Sequence, residues 1–153
     1  MENSILISAN IQSEPESVWQ AITNLEHLNQ IFEGLQCHCD WTVGSKVQFT
    51  QQQGEHDRVV EKGEVIRISA HNLLEYTSFP TQMGLKDDLE NYILICYELL
   101  DNYDGTTHLS ISQKGYKYVE NGMDRYIAAQ KNWKKYLPKL IEYASSLNIK
   151  SEV

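Results

Sequence analysis

The chain has no long apolar run. Its uninterrupted apolar stretches span only a few residues, such as Tyr92 to Tyr97, against the roughly 18 to 20 needed to cross a bilayer, so no membrane span is expected. Cysteine is scarce as well. Cys37, Cys39 and Cys96 are an odd number at no disulfide-framework spacing, which fits a reducing compartment better than a stapled secreted scaffold. The start, Met1-Glu2-Asn3-Ser4, has neither a basic n-region nor a small-residue cleavage site, so no secretory leader is expected and the expected location is cytoplasmic. Basic residues are outnumbered, 13 Lys plus Arg against 21 Asp plus Glu, a net charge of −8. That balance argues against nucleic acid as a partner, because phosphate binding needs clustered cations.

What the chain does have is size and apolar content. At 153 residues and 41% hydrophobic, it is long enough to bury a core in one domain, expected over residues 1–153, with no linker or repeat to divide it. The charge is unevenly spread. Seven basic residues between Lys114 and Lys139 face only Glu120 and Asp124, a local +5 that leaves −13 on the rest. A solvated helix face explains this, and a surface for an acidic protein partner is the alternative. The run Cys37-His38-Cys39 offers thiolate and imidazole, but a structural zinc site needs a second ligand pair. His56 or His108 would have to supply it from distant segments, so these are read as ordinary strand residues and no metal or cofactor is expected. Cys96 reads as a small buried hydrophobe.

The apolar period divides the chain. Ile5, Ile7, Ala9 and Ile11 alternate with polar neighbours as in a half-buried strand. Ser13-Glu14-Pro15-Glu16 reads as a capping box with Pro in the first turn of a helix. The stripe Val18, Trp19, Ile22 continues into Leu25 and Leu28, with Asn24 expected to end one helix and cap a second that runs to about Ile31. After Gly34 the period is two for about eighty residues. Strands are expected at Cys37–Trp41, around Val47 and Phe49, at Val59–Ser69, Leu73–Phe79, Tyr92–Leu100 and Thr107–Gln113, with Asp104-Gly105 as a hairpin turn. The segment from about Gly122 to Leu147 returns to helical spacing, with the stripe Met123, Tyr126, Ile127, Gln130, Trp133, Leu137, Leu140, Ile141, Ala144 and a kink expected at Pro138. A helix of that length must bury its stripe on one sheet face. The fold class is therefore α+β: a curved seven-stranded antiparallel sheet wrapped around a long C-terminal helix, with two short helices between strands 1 and 2.

This order carries Pro15-Glu16-Ser17-Val18-Trp19, Thr23-Asn24-Leu25-Glu26-His27-Leu28, Trp41-Thr42-Val43-Gly44, Gly63-Glu64-Val65, Leu74-Glu75-Tyr76-Thr77 and Asn132-Trp133-Lys134-Lys135-Tyr136-Leu137. Together they resemble the START and birch-pollen-allergen superfamily (SRPBCC) and, within it, the branch related to the activator of the heat-shock chaperone ATPase. The resemblance runs from about Ser4 to Ser146. It implies a helix-grip fold, and that fold hosts lipid carriers, hormone receptors, cyclases and co-chaperone domains, so it does not name one activity.

Between sheet and helix such a fold holds either a packed core or a pocket. By strand phase Val47, Phe49, Tyr76, Leu109 and Ile111 point inward; Tyr126, Gln130 and Trp133 come from the helix; Phe32 and Trp41 fall near the mouth. These ten are the candidate cavity lining. No residue is assigned a catalytic role. Glu98 and Glu75 are the carboxylates nearest the expected pocket, but both are out of phase with the inward residues, and His27, His38, His56, His71 and His108 fall at loop or outward positions. No Ser, His, Asp arrangement, phosphate loop or zinc-protease motif occurs. The first expectation is a non-catalytic carrier or sensor of a small hydrophobic or amphipathic, lipid-like molecule, acting as monomer or homodimer. The alternative is a protein-interaction module resembling the chaperone activator, using the basic segment Lys114 to Lys139. A cyclase or hydrolase on the same fold comes third.

Overall fold

The structure is a computed structural model that describes residues 3–147; residues 1–2 and 148–153, the ends of the expected domain, lie outside the described residues. Apolar and polar residues alternate through seven strands: β1 Ile5–Ile11, β2 Gln36–His38, β3 Lys46–Gln53, β4 His56–Ser69, β5 Leu73–Pro80, β6 Ile93–Asp101 and β7 Thr107–Lys114. They form one antiparallel sheet in the order β1-β7-β6-β5-β4-β3-β2. Sequential strands pair as hairpins, and β1 closes onto β7 after the chain has built everything else. The helices are α1 Pro15–Thr23, α2 Leu25–Ile31 and α3 Gly122–Ser146. This is the α+β helix-grip architecture expected from the period changes. Among the described residues no helix is long and apolar enough to cross a membrane.

Two irregularities shape the sheet. The register shifts between Phe49 and Thr50 against β4, and again between Val65 and Arg67 against β5. Bulges of this kind bend a strand and raise its twist, and here they fall on both sides of β4, where the sheet has to curve toward α3. Gly63 lies between them: a Cβ there would stand 1.6 Å from the Thr77 carbonyl oxygen. The crossing of β4 and β5 is therefore closed to any side chain at this position.

Three local expectations are corrected. Ser13 does not cap α1. Glu14 is the N-cap without a side-chain bond, while the Ser13 hydroxyl donates to the carbonyls of Ala144 (2.7 Å) and Leu147 (2.9 Å). It satisfies carbonyls that the end of α3 would otherwise leave open. Asn24 does cap α2, its Oδ1 accepting from the Glu26 and His27 amides. The short strand stops at His38 rather than Trp41, because the Trp41 amide turns back to Cys39 Sγ at 3.3 Å and Trp41 itself is left-handed, with φ 55°.

The third correction concerns α3. The helix runs on through Pro138 to Ser146, and its buried line follows the expected stripe at Trp133, Leu140 and Ala144 but departs from it in the first turns. Met123 and Ile127 are 56% and 44% exposed, whereas Arg125, Trp133, Leu140 and Ala144 are buried. Steps of four, four and then three or four join Arg125 through Ala129 and Trp133 to Tyr136 and Leu140, which is one face of a helix. The core lies where the C-terminal half of that face meets α1 and the sheet around Ile11, Val18, Ile22, Leu109 and Ile111. Burying a side chain such as Leu140 contributes roughly 1.5–3 kcal/mol.

Candidate functional site

The N-terminal half of α3 does not close down on the sheet, and a cavity of about 300 Å³ remains between them. Its sheet wall is Phe49 of β3, Val60 and Glu61 of β4, Tyr76 and Ser78 of β5, Ile93, Ile95 and Tyr97 of β6, and Gln113 of β7. Its helix wall is Arg125, Ala129, Trp133 and Tyr136, with Tyr116 at one end and Phe32 and Leu35 at the other. Met83, Ala128 and Asn132 also line it and are exposed, so they mark the mouth. A volume of this size is at the small end of the roughly 300–1,000 Å³ range of ligand pockets.

Aromatic rings set its shape. Phe32 meets Phe49, Trp133 and Tyr136 edge to face, with centroids 6.1, 6.2 and 5.0 Å apart. Tyr97 meets Trp133 at 6.4 Å and stacks on Tyr76 at 6.4 Å. Rings packed this way make a stiff wall with polar handles. Burial raises the Tyr76, Tyr97 and Tyr116 phenols above their ordinary range, so they stay neutral and available as donors. The Tyr116 hydroxyl already donates to Gln113 Oε1 at 2.7 Å.

Two charged residues belong to the lining. Glu61 is paired with Phe49 across the β3–β4 ladder, next to the bulge, which brings its side chain onto the concave face. Burial pushes its carboxyl up from the ordinary 4.5, against the pull of a Ser78 hydrogen bond and of the Arg125 charge. Arg125 is only 6% exposed. Its Nη1 donates to the Asn91 carbonyl at 2.7 Å, and Asn91 is itself fixed by bonds to Lys86 O and from the Glu120 amide. Burial lowers the guanidinium, opposed by Tyr116 and Glu61, yet an arginine so placed stays charged.

Of the ten residues expected to line a cavity, Phe32, Phe49, Tyr76 and Trp133 do line this one. Val47, Leu109 and Ile111 are buried in the packed core instead. Tyr126 and Gln130 face a shallow groove beside β1, joined by a bond from Gln130 Nε2 to the Tyr126 hydroxyl at 2.9 Å. Trp41 packs behind Tyr76 at 6.4 Å, with its Nε1 buried and unbonded. Sequence reasoning passed over Glu61 and Arg125. Counting back by two from buried Val65 gives Gly63 and Glu61, and counting back by eight from Trp133 gives Arg125.

The carboxylates considered earlier lie elsewhere. Glu98 is exposed on the outer sheet face. Glu75 is buried under Arg67, which donates to it through Nε at 3.1 Å and Nη2 at 3.2 Å. None of the five histidines lines the cavity. Cys37 is buried, and burial pushes its thiol up to about 12. Among the described residues no cluster of three or more His, Cys, Asp or Glu is arranged to hold a metal.

The sequence model of the family described as Activator of Hsp90 ATPase homolog 1-like protein matches residues 12–145. No curated protein matches the chain in sequence. Among solved structures it is similar to a protein from Cytophaga hutchinsonii (TM-score 0.73, 21% identity, 92% of each chain). A protein from Mesorhizobium loti has TM-score 0.71 and 21% identity over 92% of this chain and 95% of the other. An HSP90 activator from Plasmodium falciparum has TM-score 0.66 and 16% identity over 90% and 92%. At these identities the structures attest the fold.

Proposed function

Because the chain belongs to the Activator of Hsp90 ATPase homolog 1-like family, whose fold does not dictate one activity, we propose that its function lies in the cavity: non-catalytic binding, as carrier or sensor, of a small hydrophobic or amphipathic molecule. The observation that carries this reading is the cavity itself, about 300 Å³ walled by packed aromatic rings. Left empty and apolar, such a space costs roughly 7 kcal/mol at about 24 cal/mol per Å³, comparable with the roughly 5–15 kcal/mol net stability of a domain. A fold that keeps it open fills it with water or a ligand. Native mass spectrometry of freshly purified protein, followed by organic extraction, tests the reading. A mass increment that is lost on extraction and restored by adding the extract back supports it; protein that takes up neither extract nor small aromatic probes at millimolar concentration overturns it.

A second reading, docking of a heat-shock chaperone, is favoured by the family and by the similar HSP90 activator from Plasmodium falciparum. On this chain it draws on Lys131, Lys134 and Lys135, all exposed on α3. Lys139 pairs with Glu33 at 2.5 Å and Lys135 stands over the Tyr136 ring, leaving Lys131 and Lys134 without an ion-pair partner among the described residues. Replacing Lys131 and Lys134 by Gln abolishes chaperone binding and ATPase stimulation if this reading holds; unchanged values reject it.

A further inference from the structure

Glu61 and Arg125 are the only charged residues among those lining the cavity, one on each wall. Among the described residues they form no ion pair, so no guanidinium nitrogen lies within 4.0 Å of the Glu61 carboxylate. Ser78 lies beside Glu61 in the sheet wall, while Arg125 spends Nη1 on the Asn91 carbonyl and has no other protein acceptor among the described residues. With Glu61 ionised, the cavity therefore presents an acceptor on the sheet and spare donors on the helix, with space between them and a net charge of zero.

A guest that carried one charge would upset that balance. A carboxylate placed against Arg125 also faces Glu61, and an ammonium placed against Glu61 also faces Arg125; either leaves one uncompensated charge in a desolvated site, which is costly. A neutral group with a donor beside an acceptor, such as a primary amide or an enol next to a carbonyl, donates a hydrogen bond to Glu61 and accepts one from Arg125. Both wall charges are then satisfied and the apolar remainder of the guest lies against Phe32, Tyr97 and Trp133. We propose that the cavity selects uncharged aromatic or apolar molecules that carry adjacent hydrogen-bond donor and acceptor groups, and discriminates against organic anions and cations of the same skeleton. This rests on the cavity-binding reading above.

The probes are 2-naphthamide, 2-naphthoate and 2-naphthylmethylammonium, which share a ring system and differ in charge, titrated calorimetrically at pH 8. The amide binds the native protein at least about tenfold tighter than either ion. In Glu61→Gln the cation on the helix wall is left alone, and the order inverts so that naphthoate binds tightest. In Arg125→Met the surviving carboxylate makes the ammonium the preferred probe. Should Arg125→Met fail to fold, Glu61→Gln decides. Naphthoate binding the native protein as tightly as the amide, or an order of affinities unaltered in Glu61→Gln, overturns the charge-balance inference while leaving cavity binding in place. Failure of all three probes to bind at millimolar concentration overturns the cavity reading and this inference with it.

Discussion

Replacing Gly122 by Ala tests how α3 is held over the cavity. An ideal Cβ at this position falls 1.8 Å from the carbonyl oxygen of Tyr116. Contacts below 3.0 Å are essentially never seen for a real Cβ, so the helix start or the Tyr116 turn has to move by at least 1.2 Å, the difference between 3.0 and 1.8. Forcing a methyl into packed structure costs about 1–3 kcal/mol. Against it stands the preference for Ala over Gly in a helix, about 0.5–1 kcal/mol. The net loss is up to about 2.5 kcal/mol, and for a domain of this size that is a fall of up to about 10 °C in Tm. The shift has a second consequence. Arg125 lies one turn along from Gly122, and its 2.7 Å bond to the Asn91 carbonyl moves with the helix, so naphthamide affinity falls together with Tm. Differential scanning calorimetry and the calorimetric titration read the two effects. A variant that melts at or above the native temperature and binds the probe unchanged would refute the claim that Gly122 is there to let α3 approach.

Glu61 makes stability depend on pH. Its folded-state pKa is raised above the ordinary 4.5, burial being the largest cause, so its contribution is fullest below that value and is lost as pH rises through the folded pKa. Glu61→Gln therefore gains stability relative to the native protein as pH goes from 4 to 7.5, and a Tm difference that stays flat over this range contradicts the assignment. Leu140→Ala, at a site 1% exposed, lowers stability by about 2–5 kcal/mol; a urea midpoint shift worth less than 1 kcal/mol would mean that α3 is not gripped there. Burial holds the Cys37 and Cys96 thiols up at about 12 and about 11, so iodoacetamide at pH 8 alkylates Cys39 first. Peptide mass spectrometry showing Cys37 labelled as fast as Cys39 would place it outside the core.

Much of the architecture was legible because it is written in period. Alternation set the strands to within about three residues, and the return to helical spacing after Gly122 announced α3. What failed was local and had local causes. Ser13 has the composition of a cap, yet its hydroxyl finds the end of α3 more than 130 residues away, a partner that no short window contains. The N-terminal part of the α3 face was misread because Met123 and Ile127 are apolar and Arg125 is not. Hydropathy alone assigns the arginine to solvent, whereas here its bond to the Asn91 carbonyl and the nearby Tyr116 and Glu61 offset its burial. Glu61 was hidden for the same reason. Phe32, Phe49, Tyr76 and Trp133 were found because an aromatic at an inward position serves a pocket wall as well as a core. The division between wall and core depends on where α3 stands off the sheet, and the Asn91–Arg125 anchor that helps set this distance joins segments apart in sequence.

The central claim, that this domain works through a cavity balanced between Glu61 and Arg125, is tested most directly by mapping amide chemical-shift changes as 2-naphthamide is added. The account predicts that the largest changes fall on Glu61, Ser78, Tyr97, Gln113 and the Arg125–Trp133 stretch of α3, and that they shrink in Glu61→Gln. Changes centred on the outer sheet face around Leu6, Glu98 and Lys114, or in the groove between β1 and Gln130, would contradict it.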